Sequence, residues 1–181
     1  HVATTLGLGR IVFVQPSVYG TDNAAMLEAM GLCPLPNRGV AVIDATVSND
    51  TLHSLHQAGV RGVRFNFVKR LVDSTPKEVF LGIADKIAQL GWHIVVYFEA
   101  QDLEELVPFL KQLPTTIVVD HMGRPDVTKG VDHPDFQRFV DLMADVDTIW
   151  TKVTCPERLT VAGPPYDDVV PFGRKLVETF P

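Results

Sequence analysis

Six short runs rich in β-branched residues, at 10–15, 39–43, 62–66, 93–98, 116–120 and 148–153, alternate along the chain with stretches of helical pattern. Val and Ile are nearly continuous in the strand runs and do not alternate with polar residues, which fits strands buried on both faces, as in a parallel sheet. The helical stretches are expected at 22–30, 50–58, 75–90, 101–110, 135–144 and 166–179. In the third, Val79, Ile83, Ile87 and Leu90 recur at helical spacing, so one stripe faces a sheet. Ser74 and Thr75 precede a helix-opening Pro76, and Asn49 or Asp50 can cap the helix before it. Gly59 and Gly91 stand just past helices, where a left-handed residue ends them without steric cost.

This α/β alternation, with no linker or low-complexity tract, predicts one domain over residues 1–181 and leaves two architectures: an open doubly wound sheet or a (β/α)8 barrel of TIM type. No G-x-G-x-x-G or Walker loop follows a strand; Gly7-Leu8-Gly9 precedes the first strand and has Val12 where the third glycine would stand. Polar residues decide between the two. Ser17 and Tyr19 follow the first strand; Arg64, Asn66 and Arg70 the third; Tyr97 and Glu99 the fourth; Asp120 and His121 the fifth; Lys152, Thr154 and Arg158 the sixth. An open sheet concentrates its site at one switch point, whereas a barrel collects groups from many strand ends, so the barrel is favoured.

Formal charge is −6 at a pI near 5.4, which argues against a nucleic-acid partner. No apolar run reaches membrane-spanning length. Cys33 and Cys155 read as buried thiols of a reducing compartment, and no signal peptide is visible, so a cytoplasmic location is expected.

Arg64, inside a hydrophobic strand, either pairs with a carboxylate such as Glu99 or Asp120 or, with Arg70 and Arg158, forms an anion site. Arginine's planar fork suits carboxylate or phosphate. His121, just past a buried strand, could donate to a carbonyl, bind a metal or be held by local hydrogen bonds, and Asp120 could orient it. Ser17 and Tyr19 sit in a loop whose default chemistry is capping by Thr21 or Asp22; without a G-x-S-x-G elbow they are better placed as hydrogen-bond donors to a ligand than as nucleophiles. His53 and His56 are expected on a solvated helix face, and His93 and His133 show no partner pattern. No H-x-H, H-E-x-x-H or C-x-x-C occurs, so no metal site assembles from recognised spacing.

The segments Val14-Gln15-Pro16-Ser17-Val18-Tyr19-Gly20-Thr21-Asp22-Asn23, Gly62-Val63-Arg64-Phe65-Asn66-Phe67, Val119-Asp120-His121-Met122-Gly123-Arg124-Pro125 and Lys152-Val153-Thr154-Cys155-Pro156-Glu157-Arg158 resemble the amidohydrolase superfamily, and within it the lactonases that act on a pyrone dicarboxylate. The resemblance implies a distorted (β/α)8 barrel and reversible hydrolysis of 2-pyrone-4,6-dicarboxylate to 4-oxalomesaconate in the breakdown of lignin-derived aromatics, without a bound metal or other cofactor. It implies that Arg64, Arg70 and Arg158 hold carboxylates, that Ser17 and Tyr97 contact the ligand with Tyr19 adjacent, and that His121 is the active-site histidine. The family's first-strand His-x-His and last-strand aspartate base are not in these 181 residues, so about six of eight βα units are expected, resembling strands two to seven. The other readings are a sugar-acid lactonase, a metal-dependent hydrolase of the same superfamily, and a carboxylate-binding protein without turnover. A neutral sugar lactone would not require three arginines. The expected partner is a small dicarboxylate lactone; oligomeric state is not legible.

Overall fold

The computed structural model describes residues 2–68 and 76–181. Helix α1 (Val2–Thr5) precedes six strands and their helices: β1 (Ile11–Val14), α2 (Ala24–Leu32), β2 (Asn37–Ala41), α3 (Asn49–Gln57), β3 (Val60–Asn66), α4 (Lys77–Ala88), β4 (His93–Tyr97), α5 (Leu103–Leu110), β5 (Ile117–Val119), α6 (Pro134–Asp145), β6 (Ile149–Thr151) and α7 (Val170–Thr179). The strands form one six-stranded sheet in the order β1-β2-β3-β4-β5-β6, every pair parallel. A doubly wound sheet reverses its strand order at a switch point; this one never does, which is the barrel arrangement.

The sheet is also curled. Neighbouring strands lie about 4.8 Å apart, so in a flat sheet β3 would be roughly 10 Å from β1 and from β5. Yet Arg64 on β3 bonds both to Ser17, beyond β1, and to Asp120, at the end of β5. Only a concave face brings those groups together. Along β3 and β4 the side chains divide by the two-residue period. Val63, Phe65, Ile94 and Val96 enter the core shared with the helices; Arg64, Asn66, Val95 and Tyr97 take the other face. Gly62 is required on that inner face, because a Cβ there would lie 2.7 Å from the His93 ring.

The core lies between sheet and helices. Ile83 and Ile87 of α4, Leu103, Leu106 and Phe109 of α5, and Phe136, Phe139 and Val140 of α6 pack over β3–β6. Phe136 meets Phe172 of α7 at 4.9 Å between ring centroids, and Phe139 meets Phe98 at 6.0 Å.

Several local expectations shift. The α3 cap is Ser48, not Asn49 or Asp50: its hydroxyl accepts from the Thr51 amide at 3.1 Å. Pro76 stands immediately before α4, and Ser74 and Thr75 lie outside the described residues. Helix α7 begins at Val170, not 166, because Tyr166 is left-handed (φ 73°) and cannot sit inside a right-handed helix. Gly59 (φ 100°) and Gly91 (φ 66°) do take the left-handed conformation. Cys33 and Cys155 are free but only partly buried. His56 is not simply solvated, since its Nδ1 accepts from buried Trp92 Nε1 at 2.9 Å. His133 Nδ1 accepts from the Asp135 amide at the start of α6. Among the described residues, no helix is long and apolar enough to cross a membrane.

Candidate functional site

The C-terminal ends of β3–β6 carry a connected set of charged and aromatic groups, built on loops that the sequence ties down. Gln15, fully buried, donates from Nε2 to the carbonyls of Asp22 (2.6 Å) and Gly20 (3.3 Å), folding the loop after β1 back on itself. Asn23 fastens the start of α2 to the end of β2, donating to Val42 O and accepting from Val42 N. Asp22 caps from the side by accepting from the Ala24 amide at 3.0 Å, while Thr21 does not cap. This loop sets Ser17, in the turn Ser17–Tyr19, against β3: its Oγ accepts from Arg64 Nη1 (3.1 Å) and Asn66 Nδ2 (3.3 Å).

Asp120 is the centre of charge. It is 3% exposed, with Oδ2 3.3 Å from Arg64 Nε and Oδ1 2.7 Å from Lys152 Nζ. Of the two carboxylates considered for Arg64, the structure selects Asp120. Glu99 instead pairs with Arg124 Nε at 3.1 Å. The Tyr97 ring stands between guanidiniums, with Arg64 Cζ 5.2 Å and Arg124 Cζ 5.8 Å from its centroid, and its hydroxyl accepts from Arg124 Nη1. Its ring meets that of His121 nearly edge-on, centroids 5.5 Å apart.

His121 is presented by unusual backbone. His121 (φ 52°), Met122 (φ 58°), Gly123 (φ 70°) and Arg124 (φ 48°) are four consecutive left-handed residues. For the three that carry a Cβ this is a strained conformation of the kind that clusters at functional sites. The turn is held by Met122 N donating to Lys152 O at 3.0 Å, and a Cβ on Gly123 would stand 2.9 Å from the Phe139 ring. Asp120 does not orient the imidazole by a hydrogen bond; Thr154 does, with Oγ1 3.0 Å from Nδ1. Burial, then the cations Arg158, Lys152 and Arg64, hold the His121 pKa below the ordinary 6.5 against the opposing pull of Asp120, so the ring is neutral at neutral pH.

Ser17, Arg64, Tyr97 and His121 are thus brought together. Arg158, in the turn Pro156–Arg158, lies close enough to act on His121 and lines a cavity of about 250 Å³ with Glu99 and Arg124. Tyr19 is 53% exposed and stands apart from this network of contacts. Arg70 lies outside the described residues. The sequence places Lys152 and Thr154 only among the polar groups after the sixth strand, and Arg124 only within a family-like segment; the structure joins all three to this network. Among the described residues no three His, Cys, Asp or Glu side chains gather, and Asp120 is already bound by two cations.

A parallel barrel sheet with polar groups converging at its strand ends is the architecture of a TIM-type barrel, and the chain belongs to the amidohydrolase family, whose model matches residues 2–181. It is 55% identical over 184 residues to a 2-pyrone-4,6-dicarboxylate hydrolase of Comamonas testosteroni, covering 97% of this chain and 60% of the relative. It is 33% identical to a 4-sulfomuconolactone hydrolase of Hydrogenophaga intermedia, covering 97% and 58%. The crystal structure of a probable 2-pyrone-4,6-dicarboxylic acid hydrolase from Acinetobacter baumannii, with citric acid bound, superposes with a TM-score of 0.82 at 30% identity, covering 98% of this chain and 65% of that one. The chain therefore spans about 60% of the length of the curated relatives it matches.

Proposed function

We propose that this chain, acting as one domain over residues 1–181, binds the lactone 2-pyrone-4,6-dicarboxylate and serves its reversible hydrolysis to 4-oxalomesaconate, a cytoplasmic step in the breakdown of aromatic compounds. The observation that carries the reading is the cationic mouth itself. Arg64 and Lys152 pair with Asp120, Arg124 pairs with Glu99, Arg158 lines the same mouth, and a neutral imidazole stands among them. Arginine and lysine side chains converging on one mouth suit an anionic ligand.

In this reading Arg64 and Arg158, with Arg70, take the two ligand carboxylates, and Ser17 and Tyr97 add hydroxyl contacts. His121 donates to the lactone carbonyl. Negative charge develops on that oxygen as water attacks, so a fixed donor counts most in the transition state. Asp120 and Glu99 are both ion-paired, so neither is assigned the task of activating water.

The test follows loss of pyrone absorbance with the dicarboxylate and with its monocarboxylate analogue. A dicarboxylate that binds much better supports the reading; equal affinity for the two would overturn it. In the complete barrel, His121→Ala should lower kcat by about 10²–10³, the usual effect of losing such a donor. Arg64→Met should act mainly through KM.

A further inference from the structure

The imidazole of His121 has two nitrogens, and which of them holds the proton decides what the ring can do. We propose that Thr154 is a positioning residue: its hydroxyl donates to Nδ1 of His121 and fixes the neutral ring with its proton on Nε2, where it is available as a donor.

The geometry has three parts. First, Thr154 Oγ1 lies 3.0 Å from Nδ1, a normal hydrogen-bond length. A hydroxyl rotates to suit and can donate or accept. Imidazole nitrogen is the stronger base of the two, so the favourable direction is from hydroxyl to ring.

Second, the competing acceptor is poor. The thiol of Cys155, next in the chain, is also within reach of the Thr154 hydroxyl, but burial and the nearby Glu157 charge push that thiol up, so it stays protonated. A neutral thiol is a weak acceptor. The Thr154 proton therefore goes to the ring.

Third, the same segment fixes both the backbone and the side chain of the His121 turn. Lys152 O accepts from Met122 N at 3.0 Å, and Lys152 N donates to Val119 O at 2.9 Å. Two residues on, Thr154 reaches the ring. The left-handed turn at 121–124 is thus registered against the end of β6 at two points, and β5 just before it at a third. The Tyr97 ring also packs edge-on against the imidazole, centroids 5.5 Å apart. Burial, helped by Arg158, Lys152 and Arg64 and opposed by Asp120, leaves the ring uncharged and makes its tautomer the remaining choice.

The consequence for turnover rests on His121 being the carbonyl donor of the proposed reaction; the tautomer itself does not. The experiment therefore reads both. Nitrogen-15 NMR of the imidazole, at neutral pH and without ligand, assigns the protonated nitrogen of His121 in the wild-type protein and in Thr154→Val and Thr154→Ser. The expected result is a proton on Nε2 in the wild type, a mixture of tautomers in the valine variant, and recovery of the single tautomer with serine. In the complete barrel with the pyrone dicarboxylate, the valine variant should lose roughly tenfold to a hundredfold in kcat with KM little changed, the size of effect seen for outer partners that orient metal-ligating histidines. Thr154→Ala replaces valine if that variant does not fold.

A wild-type proton on Nδ1, or a tautomer that ignores removal of the hydroxyl, would overturn the proposal. A complete barrel with the expected tautomer and no turnover of the pyrone dicarboxylate would instead sink the proposed function and leave the role of Thr154 in holding the ring intact.

Discussion

Replacing Asp120 with Asn tests the charge arrangement of the mouth most directly. The carboxamide keeps the size of the side chain but removes its charge, and turns one of two acceptor oxygens into a donor facing a cation. Asp120 is 3% exposed; the side chains of Arg64 and Lys152 retain 11% and 31%. Removing one partner of a buried ion pair typically costs about 3–5 kcal/mol, because the charge left behind stays desolvated. Lys152 can swing toward water, so the lower end applies, about 3 kcal/mol. At this chain length each kcal/mol moves Tm by roughly 2–4 °C, so Asp120→Asn should melt about 6–12 °C below wild type. Urea unfolding with an unchanged m-value gives the free energy directly. Adding Arg64→Met and Lys152→Met to the Asn background should recover part of the loss, since the unpaired charges are then gone. An Asp120→Asn protein within about 1 kcal/mol of wild type would refute the claim that these three charges form one desolvated unit.

Other outcomes follow from single contacts. Gly123→Ala should lose about 2–4 kcal/mol in the same unfolding measurement, combining left-handed strain with the clash against Phe139. Gly163→Ala, also left-handed (φ 78°) but with open space around its Cβ, should lose only the strain, about 1–2 kcal/mol, and equal losses at the two sites would deny the clash. Ser48→Ala should remove about 1 kcal/mol by uncapping α3, and no change would mean that the cap is not made in solution. The pKa values of His93 and His121 are both held below 6.5, chiefly by burial, so the unfolded chain takes up protons first on acidification. Their contribution to stability should be complete above about pH 6.5 and fade as the pH falls through that value toward the folded pKa values; urea unfolding from pH 8 to pH 5 checks this, and wild-type stability that changes no more than that of a variant lacking both histidines would contradict it.

What the sequence made legible follows from how far each interaction reaches along the chain. The Val and Ile runs and the helical stripes depend on local periodicity, so strands and helices fell close to their expected places. Strands β5 and β6 came out shorter than the runs that announced them, because the chain leaves the extended conformation at Asp120 and after Thr151. The partner of Arg64 was open between Glu99 and Asp120, since position 64 meets position 120 only when β3 and β5 curl toward each other. Thr154 and Arg124 act through ring nitrogens and hydroxyls brought in from other strands, and neither carries a spacing that announces its partner. Ser17 and Tyr19 looked alike in sequence; the Gln15 bonds that fold their loop turn Ser17 to Arg64 and leave Tyr19 outside the network.

The two readings open for Arg64, structural pair or anion binder, turn out to be compatible. Its Nε goes to Asp120 and one terminal nitrogen to Ser17, but a guanidinium has five N–H donors, so its pairing does not exhaust it. Fixing Nε to a buried carboxylate and setting Cζ 5.2 Å from the Tyr97 ring centroid leaves the arginine little freedom. The entropy of ordering that side chain is then lost on folding rather than on ligand binding, which favours affinity. The same pairing moderates repulsion between Arg64 and Lys152, so a chain of net charge −6 can concentrate cations at one mouth and still fold. An ion pair at this position is therefore consistent with the proposed anion site: it would allow the cations to be buried there before an anion arrives.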